Sequence, residues 1–255
     1  MSTQLPANWT PWRADSPLAG RRPTRADFAT AIDSGLGRED VLPYPTDEAS
    51  AGLLRMLIVG INPSPWTAAV NAPFARPGNR FWPSLAEAGV LPHRVDASTG
   101  LSRGDERLLA ERGIGITNFV SRPSARADEL TVEELHTGGQ QLVDRVNVLQ
   151  PRAVAIVGIT AFRTAFSLPK AQLGRQDIET IAGWPERVQL WALPNPSGLN
   201  AHETIQSIAL RSGKRCGMSP QKAHTKLGRA AASHLGTGQF PGTRSAHRRL
   251  ADQCR

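Results

Sequence analysis

The sequence predicts an α/β layered domain built round a mostly parallel sheet, and three observations lead there. Four short runs, at residues 56–61, 115–118, 153–158 and 188–193, alternate with stretches of helical spacing. The run Met56-Leu57-Ile58-Val59-Gly60-Ile61 and the run Ala153-Val154-Ala155-Ile156-Val157-Gly158 are apolar throughout rather than at every second position, which marks strands buried on both faces. Strands that alternate with helices in this way pair in parallel, because each crossover needs a helix to return the chain.

The elements follow in order. The first 50 residues are rich in Pro, Arg and Asp, with one short helix expected near Arg25–Ser34, started by Thr24. After the strand at 56–61, Arg80–Ala88 carries Phe81, Leu85 and Ala88 at helical spacing, and Asp105–Arg112 is a second helix candidate. Thr131–Leu149 opens with Thr131 and Glu134 in the spacing of a capping box. Its Leu135, Leu142, Val146 and Leu149 share one face, and Pro151 stops it. Thr160–Phe166 and Ala201–Arg211 are the last expected helices. There is no internal repeat. The expected organisation is an N-terminal extension at 1–50, one catalytic domain at 51–211 and a basic tail at 212–255.

Composition narrows the class. The chain has 255 residues, 40% of them hydrophobic, enough for a sizeable core. No stretch approaches the ~20 apolar residues of a membrane helix, and the N-terminus lacks the basic-then-apolar pattern of a secretory leader. A cytoplasmic protein with no membrane association is expected. Cys216 and Cys254 are the only cysteines, which excludes a disulfide framework and any four-thiolate metal site. The net charge of +8 is concentrated at one end. From Arg211 onward ten Lys/Arg face Asp252 alone, a balance of +9, so residues 1–210 carry -1. Such an arm is either a solvated tail or a segment that holds phosphates through charge and counterion release.

In sheets of this kind ligands bind beyond the carboxyl ends of the strands. Two of those ends carry nearly the same tripeptide, Asn62-Pro63-Ser64 and Asn195-Pro196-Ser197. Proline restricts the residue before it to extended geometry, so each Asn is held at its strand end. An Asn amide offers one acceptor and two donors and is a very weak base, suited to orienting a water or gripping a phosphate. Both tripeptides also read as simple turns. The segment after the first, GINPSPWTAAVNAPFARPGNRFW at 60–82, adds a lone loop aromatic, Phe74, a Pro77-Gly78 turn and a basic, aromatic helix start. A loop aromatic beside a strand-end amide suits stacking of a planar ring. Phe81 and Trp82 are expected in the core.

With GITNFVSRPSARADELT at 115–131, GGQQLVDRVNVLQPRAVAIVG at 138–158 and WALPNPSGLN at 191–200 in the same order, the chain resembles the mismatch-specific uracil/thymine DNA glycosylases of the uracil-DNA glycosylase superfamily. The resemblance spans Leu54 to about Arg211. It implies a three-layer α/β/α fold. It also implies that Asn62 positions the attacking water, where other branches of the superfamily use Asp. Phe74 would stack on the flipped base. Backbone amides near Ile61 and Phe74, with Thr67 beside them, would meet its carbonyl oxygens, and Asn118 would face its edge. Asn195, Ser197, Gly198, Leu199, Asn200 and Ala201 would contact DNA, with Ser197, Gly198 and Leu199 wedging into the gap left by the base. The pattern departs from the family at Asn200-Ala201, where an Arg often stands, and at Pro65-Trp66, where smaller residues stand.

The expected activity is removal of uracil, or a related mismatched or damaged pyrimidine, from double-stranded DNA by a monomer that needs no cofactor and no metal. The base must be extruded before its glycosidic bond is reachable, at a cost of a few kcal/mol that is least for a mispair. The first lysine is Lys170, remote from every expected strand end, which argues against a Schiff-base route. Alternatives are the same chemistry on deaminated purines or etheno adducts, a non-catalytic lesion-binding protein, and an unrelated nucleotide-binding enzyme, which the lack of a G-x-G-x-x-G turn or P-loop disfavours.

Overall fold

The computed structural model describes residues 14–35, 37, 39–43 and 51–196. The helix expected at 201–211, the wedge residues Ser197, Gly198, Leu199, Asn200 and Ala201, and the basic tail lie outside these residues.

Five strands form one sheet: β1 (Met56–Gly60), β2 (Ile114–Asn118), β3 (Ala153–Val157), β4 (Gly174–Arg175) and β5 (Gln189–Leu193). Their order is β2-β1-β3-β5-β4, parallel except for the two-residue edge strand β4. The helices are α1 (Arg25–Asp33), α2 (Pro65–Val70), α3 (Phe81–Glu87), α4 (Arg103–Arg112), α5 (Val132–Leu149) and α6 (Ile159–Ala165).

The continuous apolar runs explain the layering. Side chains alternate across a strand, and here both faces are covered. Ile58, Ala155 and Trp191 enter one core with Phe81, Trp82 and Leu85 of α3 and Leu109 of α4. Leu57, Val59, Val154, Ile156 and Leu190 enter the other with Leu142, Val146 and Leu149 of α5 and Phe162 of α6. Each such fully buried side chain contributes roughly 1.5–3 kcal/mol. The result is the expected three-layer α/β/α sandwich.

Local signals set the helix ends. Thr131 caps α5 and Glu134 returns the bond to the Thr131 N–H. Thr24 and Asp27 do the same for α1. Gly113 closes α4 at a positive φ that glycine adopts without strain. Two elements were absent from the sequence reading. The loop expected after Asn62 contains α2, capped by Ser64 with Pro65 in its first turn. The edge strand β4 is too short to leave a pattern. The N-terminal extension packs on the domain: Val41 pairs with Ile116 in an antiparallel bridge, and Val41 and Leu42 are fully buried.

Register brings the strand ends to one level. Gly60 pairs with Asn118, and Val157 with Leu193. Past those ends two segments continue side by side, with Phe119 N–H donating to Gly60 C=O and Val120 N–H to Ile61 C=O, both at 3.0 Å.

Helix α5 approaches this region closely because it carries Gly138 and Gly139. A Cβ at Gly138 would overlap the Phe119 carbonyl, and one at Gly139 would stand 2.7 Å from the Ala165 carbonyl oxygen. Helix propensity alone favours Ala at such positions by about 1 kcal/mol. Overpacking against backbone costs roughly 1–3 kcal/mol, so Gly138→Ala is expected to lower the urea midpoint. A raised midpoint would show that α5 does not press on the 119–126 loop.

Candidate functional site: a cleft at the strand ends

Asn62 follows the end of β1 and is held by the loop that follows β2. Its Nδ2 donates to the Arg122 carbonyl at 3.0 Å and to Ser124 Oγ at 2.7 Å. The amide orientation follows from the donors. Ser124 has one hydroxyl proton, and it goes to the Arg126 carbonyl at 2.7 Å. Ser124 Oγ therefore accepts from Asn62, so the atom facing it is nitrogen. Both Asn62 donors are used, Oδ1 has no hydrogen-bond partner among the described residues, and Asn62 lines the cleft.

The loop is itself anchored. Arg122 donates to both carboxylate oxygens of Glu134, at 2.6 and 3.0 Å, and to the Glu129 carbonyl at 3.0 Å. Glu134 also completes the capping box of α5, its carboxylate accepting from the Thr131 N–H. Hydrogen bonds from Arg122 and then from the Thr131 N–H hold its carboxyl down at about 2. The Ser124 N–H donates to the Pro63 carbonyl at 3.1 Å, tying the loop back to the Asn62-Pro63 turn.

The cleft measures about 140 Å³. That is the scale of a small planar group, below the ~300–1,000 Å³ of drug-sized ligand sites. Ile61, Asn62, Thr67, Phe74, Asn118 and Asn195, every sequence-predicted site residue within the described residues, line it. Ser64, Arg76, Asn79, Ser124 and Val157 join them.

Phe74 has φ +53°, a left-handed conformation that a bulky residue adopts only when its surroundings impose it. Its ring stacks on buried Phe81 at 3.8 Å between centroids, with 21° between planes. Phe81 meets Trp82 edge-on, and Trp82 Nε1 donates to the Pro73 carbonyl at 3.0 Å. One face of Phe74 is thus backed by the core, and the ring borders the cleft. Thr67 sits in α2, its N–H donating to Ser64 Oγ at 3.2 Å. The Asn195 loop is fastened to α3 by the Arg80 N–H, which donates to the Pro196 carbonyl at 3.2 Å.

Asn118 ends β2, and its Nδ2 donates to Glu39 Oε1 at 2.5 Å. A Cβ on Gly60 would overlap Asn118 Oδ1 and stand 3.3 Å from Phe74 Cζ. Only glycine lets the amide oxygen and the aromatic ring converge over the end of β1. Glu39 is buried, and its Oε2 has no partner. Nearby, Thr117 donates to Asp40 at 2.8 Å, and Arg145 reaches Thr117.

Sequence reasoning missed Arg122, Ser124 and Glu39. The first two lie inside the stretch 115–131, where the polar segment Ser121-Arg122-Pro123-Ser124, two residues past a strand end, was the available signal. Glu39 had none, since a Glu-Asp pair in a Pro- and Arg-rich segment reads as solvated surface.

Burial, and then the neighbouring Asp40, pushes the Glu39 carboxyl up to about 8 from an ordinary 4.5. Between those values the folded protein holds a proton that the unfolded chain has released, so stability falls as pH rises through that window. The melting temperature is expected to drop between about pH 5 and about pH 9, and to drop less in Glu39→Gln. Equal slopes in the two proteins would place the titration elsewhere.

Residues 47–212 match the family model of the uracil DNA glycosylase superfamily. That span covers most of the chain, the whole sheet and every residue of the cleft, and with it the chain belongs to the uracil DNA glycosylase superfamily.

Proposed function

We propose that the protein is a monofunctional DNA glycosylase of the mismatch-specific branch. In this reading it draws uracil, or a related mismatched or damaged pyrimidine, out of double-stranded DNA and hydrolyses its N-glycosidic bond to leave an abasic site. The observation that carries this reading is the Asn62 amide, both donors occupied and its oxygen left at a cleft bordered by Phe74. The superfamily supports base removal from DNA as the activity. An amide in place of a carboxylate at this strand end supports the mismatch-specific branch.

The chemistry follows from the geometry. Loss of the base builds positive charge on the sugar and negative charge on the departing ring, as in glycoside hydrolysis. Asn62 Oδ1 accepts from a water and aims it at the sugar, by positioning rather than by proton abstraction. The base lies against the Phe74 ring, a contact worth roughly 1–3 kcal/mol. Donors directed at the base oxygens stabilise the leaving anion. Among the described residues the one lysine is Lys170, exposed in the loop after α6 and outside the cleft, which supports hydrolysis over a Schiff base. An acceptor at Asn118 would also suit the ring N–H of a deaminated purine, so xanthine and hypoxanthine belong in the same assay.

Single-turnover release of base from duplexes, each holding one altered base, tests the reading. Wild type is expected to act on uracil, and Asn62→Ala to lose about 100-fold or more. Near-normal release by Asn62→Ala would remove Asn62 from the mechanism. Ser124→Ala frees one Asn62 donor and is expected to lower the rate about tenfold with little change in substrate affinity. A change confined to affinity would assign Ser124 to binding instead.

A further inference from the structure

We propose that Arg22, Arg76 and Arg94 form a phosphate-holding groove beside the cleft, along which the backbone of the damaged DNA strand runs on from the extruded nucleotide. The inference rests on the glycosylase reading and deepens it by naming the surface that carries the strand.

The groove adjoins the cleft. It measures about 400 Å³, and Phe74, Arg76 and Asn79 line both. A strand whose base lies against Phe74 leaves the cleft over this shared segment. Arg22 and Arg94 stand beyond it, and Asp96 is the one carboxylate in the lining. The groove thus sets three cations against one anion, in a chain whose residues 1–210 carry -1 overall. Arg22 precedes residue 47, where the superfamily match begins, so the N-terminal extension supplies part of this surface.

The three arginines are exposed, and none makes a side-chain hydrogen bond or ion pair among the described residues. Arg21 and Arg122 differ, since each spends its guanidinium on both oxygens of one carboxylate, Asp27 and Glu134. Asp96 does not neutralise its neighbours. Its Oδ1 accepts from the Ser98 N–H at 3.0 Å. Bonds from Ser98, and after them the charges of Arg22 and Arg94, hold its carboxyl below the usual carboxylate range, so both guanidiniums lie near it without pairing with it.

The backbone that presents these groups is fixed. Arg22 lies between a turn closed by the Arg21 N–H on the buried Leu18, at 3.0 Å, and the Thr24 cap of α1. Arg94 and Asp96 alternate with buried Val95 and Ala97. The Arg76 carbonyl accepts from the Asn79 N–H at 3.0 Å. Asn79 Oδ1 accepts from the Phe81 N–H at 2.9 Å, which leaves its NH2 group to donate. A guanidinium is always charged and donates in pairs to phosphate oxygens. Three of them with an amide NH2 suit a run of phosphodiesters, which takes donors and returns none.

The test measures binding of the full chain to a duplex that holds a stable abasic-site analogue, over a range of salt concentrations. Arg22→Ala and Arg94→Ala are each expected to weaken binding about tenfold, and to reduce the slope of log affinity against log salt by about one. Arg152→Ala removes the same charge just before β3, at the opposite end of the sheet, and is expected to leave the slope unchanged. Arg22→Lys and Arg94→Lys are expected to keep the slope but lose about threefold in affinity, because an ammonium does not grip two oxygens at once. A slope unchanged in both Ala variants, or lowered equally in Arg152→Ala, would overturn the groove. A neutral methylphosphonate, placed in turn at each phosphate near the analogue, locates the contact. One position on the analogue-bearing strand is expected to weaken wild type about tenfold and the Arg22→Ala/Arg94→Ala variant less than about twofold. Sensitivity confined to the other strand would overturn the assignment. Base release from a uracil duplex keeps the two readings apart. A wild type that binds with these slopes but releases no base would overturn the glycosylase reading and leave the groove standing. Release by wild type, with both Ala variants binding as wild type does, would overturn the groove alone.

Discussion

The site depends on one constraint: the two donors of the Asn62 amide are spent on the loop after β2. An Asn at the end of a strand otherwise turns freely and offers water either a donor or an acceptor. Here the Arg122 carbonyl and the Ser124 hydroxyl take the nitrogen, and the Ser124 proton is committed to the Arg126 carbonyl. The chain of anchors runs on through the Arg122–Glu134 ion pair to the capped first turn of α5. An exposed ion pair of this kind adds little to stability. Its value is geometric, because it holds a carbonyl oxygen against Asn62 from an 18-residue helix packed on the sheet.

That arrangement needs backbones to come close, and the glycines mark where. Gly60 admits the Asn118 amide and the Phe74 ring to the same space, and Gly138 lets α5 meet the Phe119 carbonyl. Parallel register then places the loops after β1 and β2 beside each other, so residues 60 positions apart in the chain share a hydrogen bond. The fold's part in the chemistry is to make those two loops neighbours.

The fold was largely legible in the sequence because its signals are local. Apolar runs marked four strands within one or two residues, and Thr131 with Glu134 marked the start of α5. Asn62 and Phe74 stood out because Pro63 fixes one and the other is an aromatic alone in a loop. Helix α2 was read as loop because Asn-Pro-Ser-Pro is turn chemistry; the same Ser64 and Pro65 also make a helix cap, and buried Val70 decides between the two. Arg122, Ser124 and Glu39 were not singled out because their partners in the site lie 60 to 79 residues away in the chain, which no periodicity encodes.

The cleft also concentrates what a stability-driven design would avoid. Glu39 is a buried carboxyl with one idle oxygen, and Phe74 sits in a left-handed backbone. A buried polar atom without a partner costs about 1–3 kcal/mol, and a strained φ a similar amount. Two cores packed on both faces of the sheet offset such losses. Asn118, which donates to Glu39, and the Phe74 ring tip meet over Gly60 at the end of β1. The strain is therefore concentrated at the strand ends that line the cleft, with the sandwich beneath it supplying the stability that makes it tolerable.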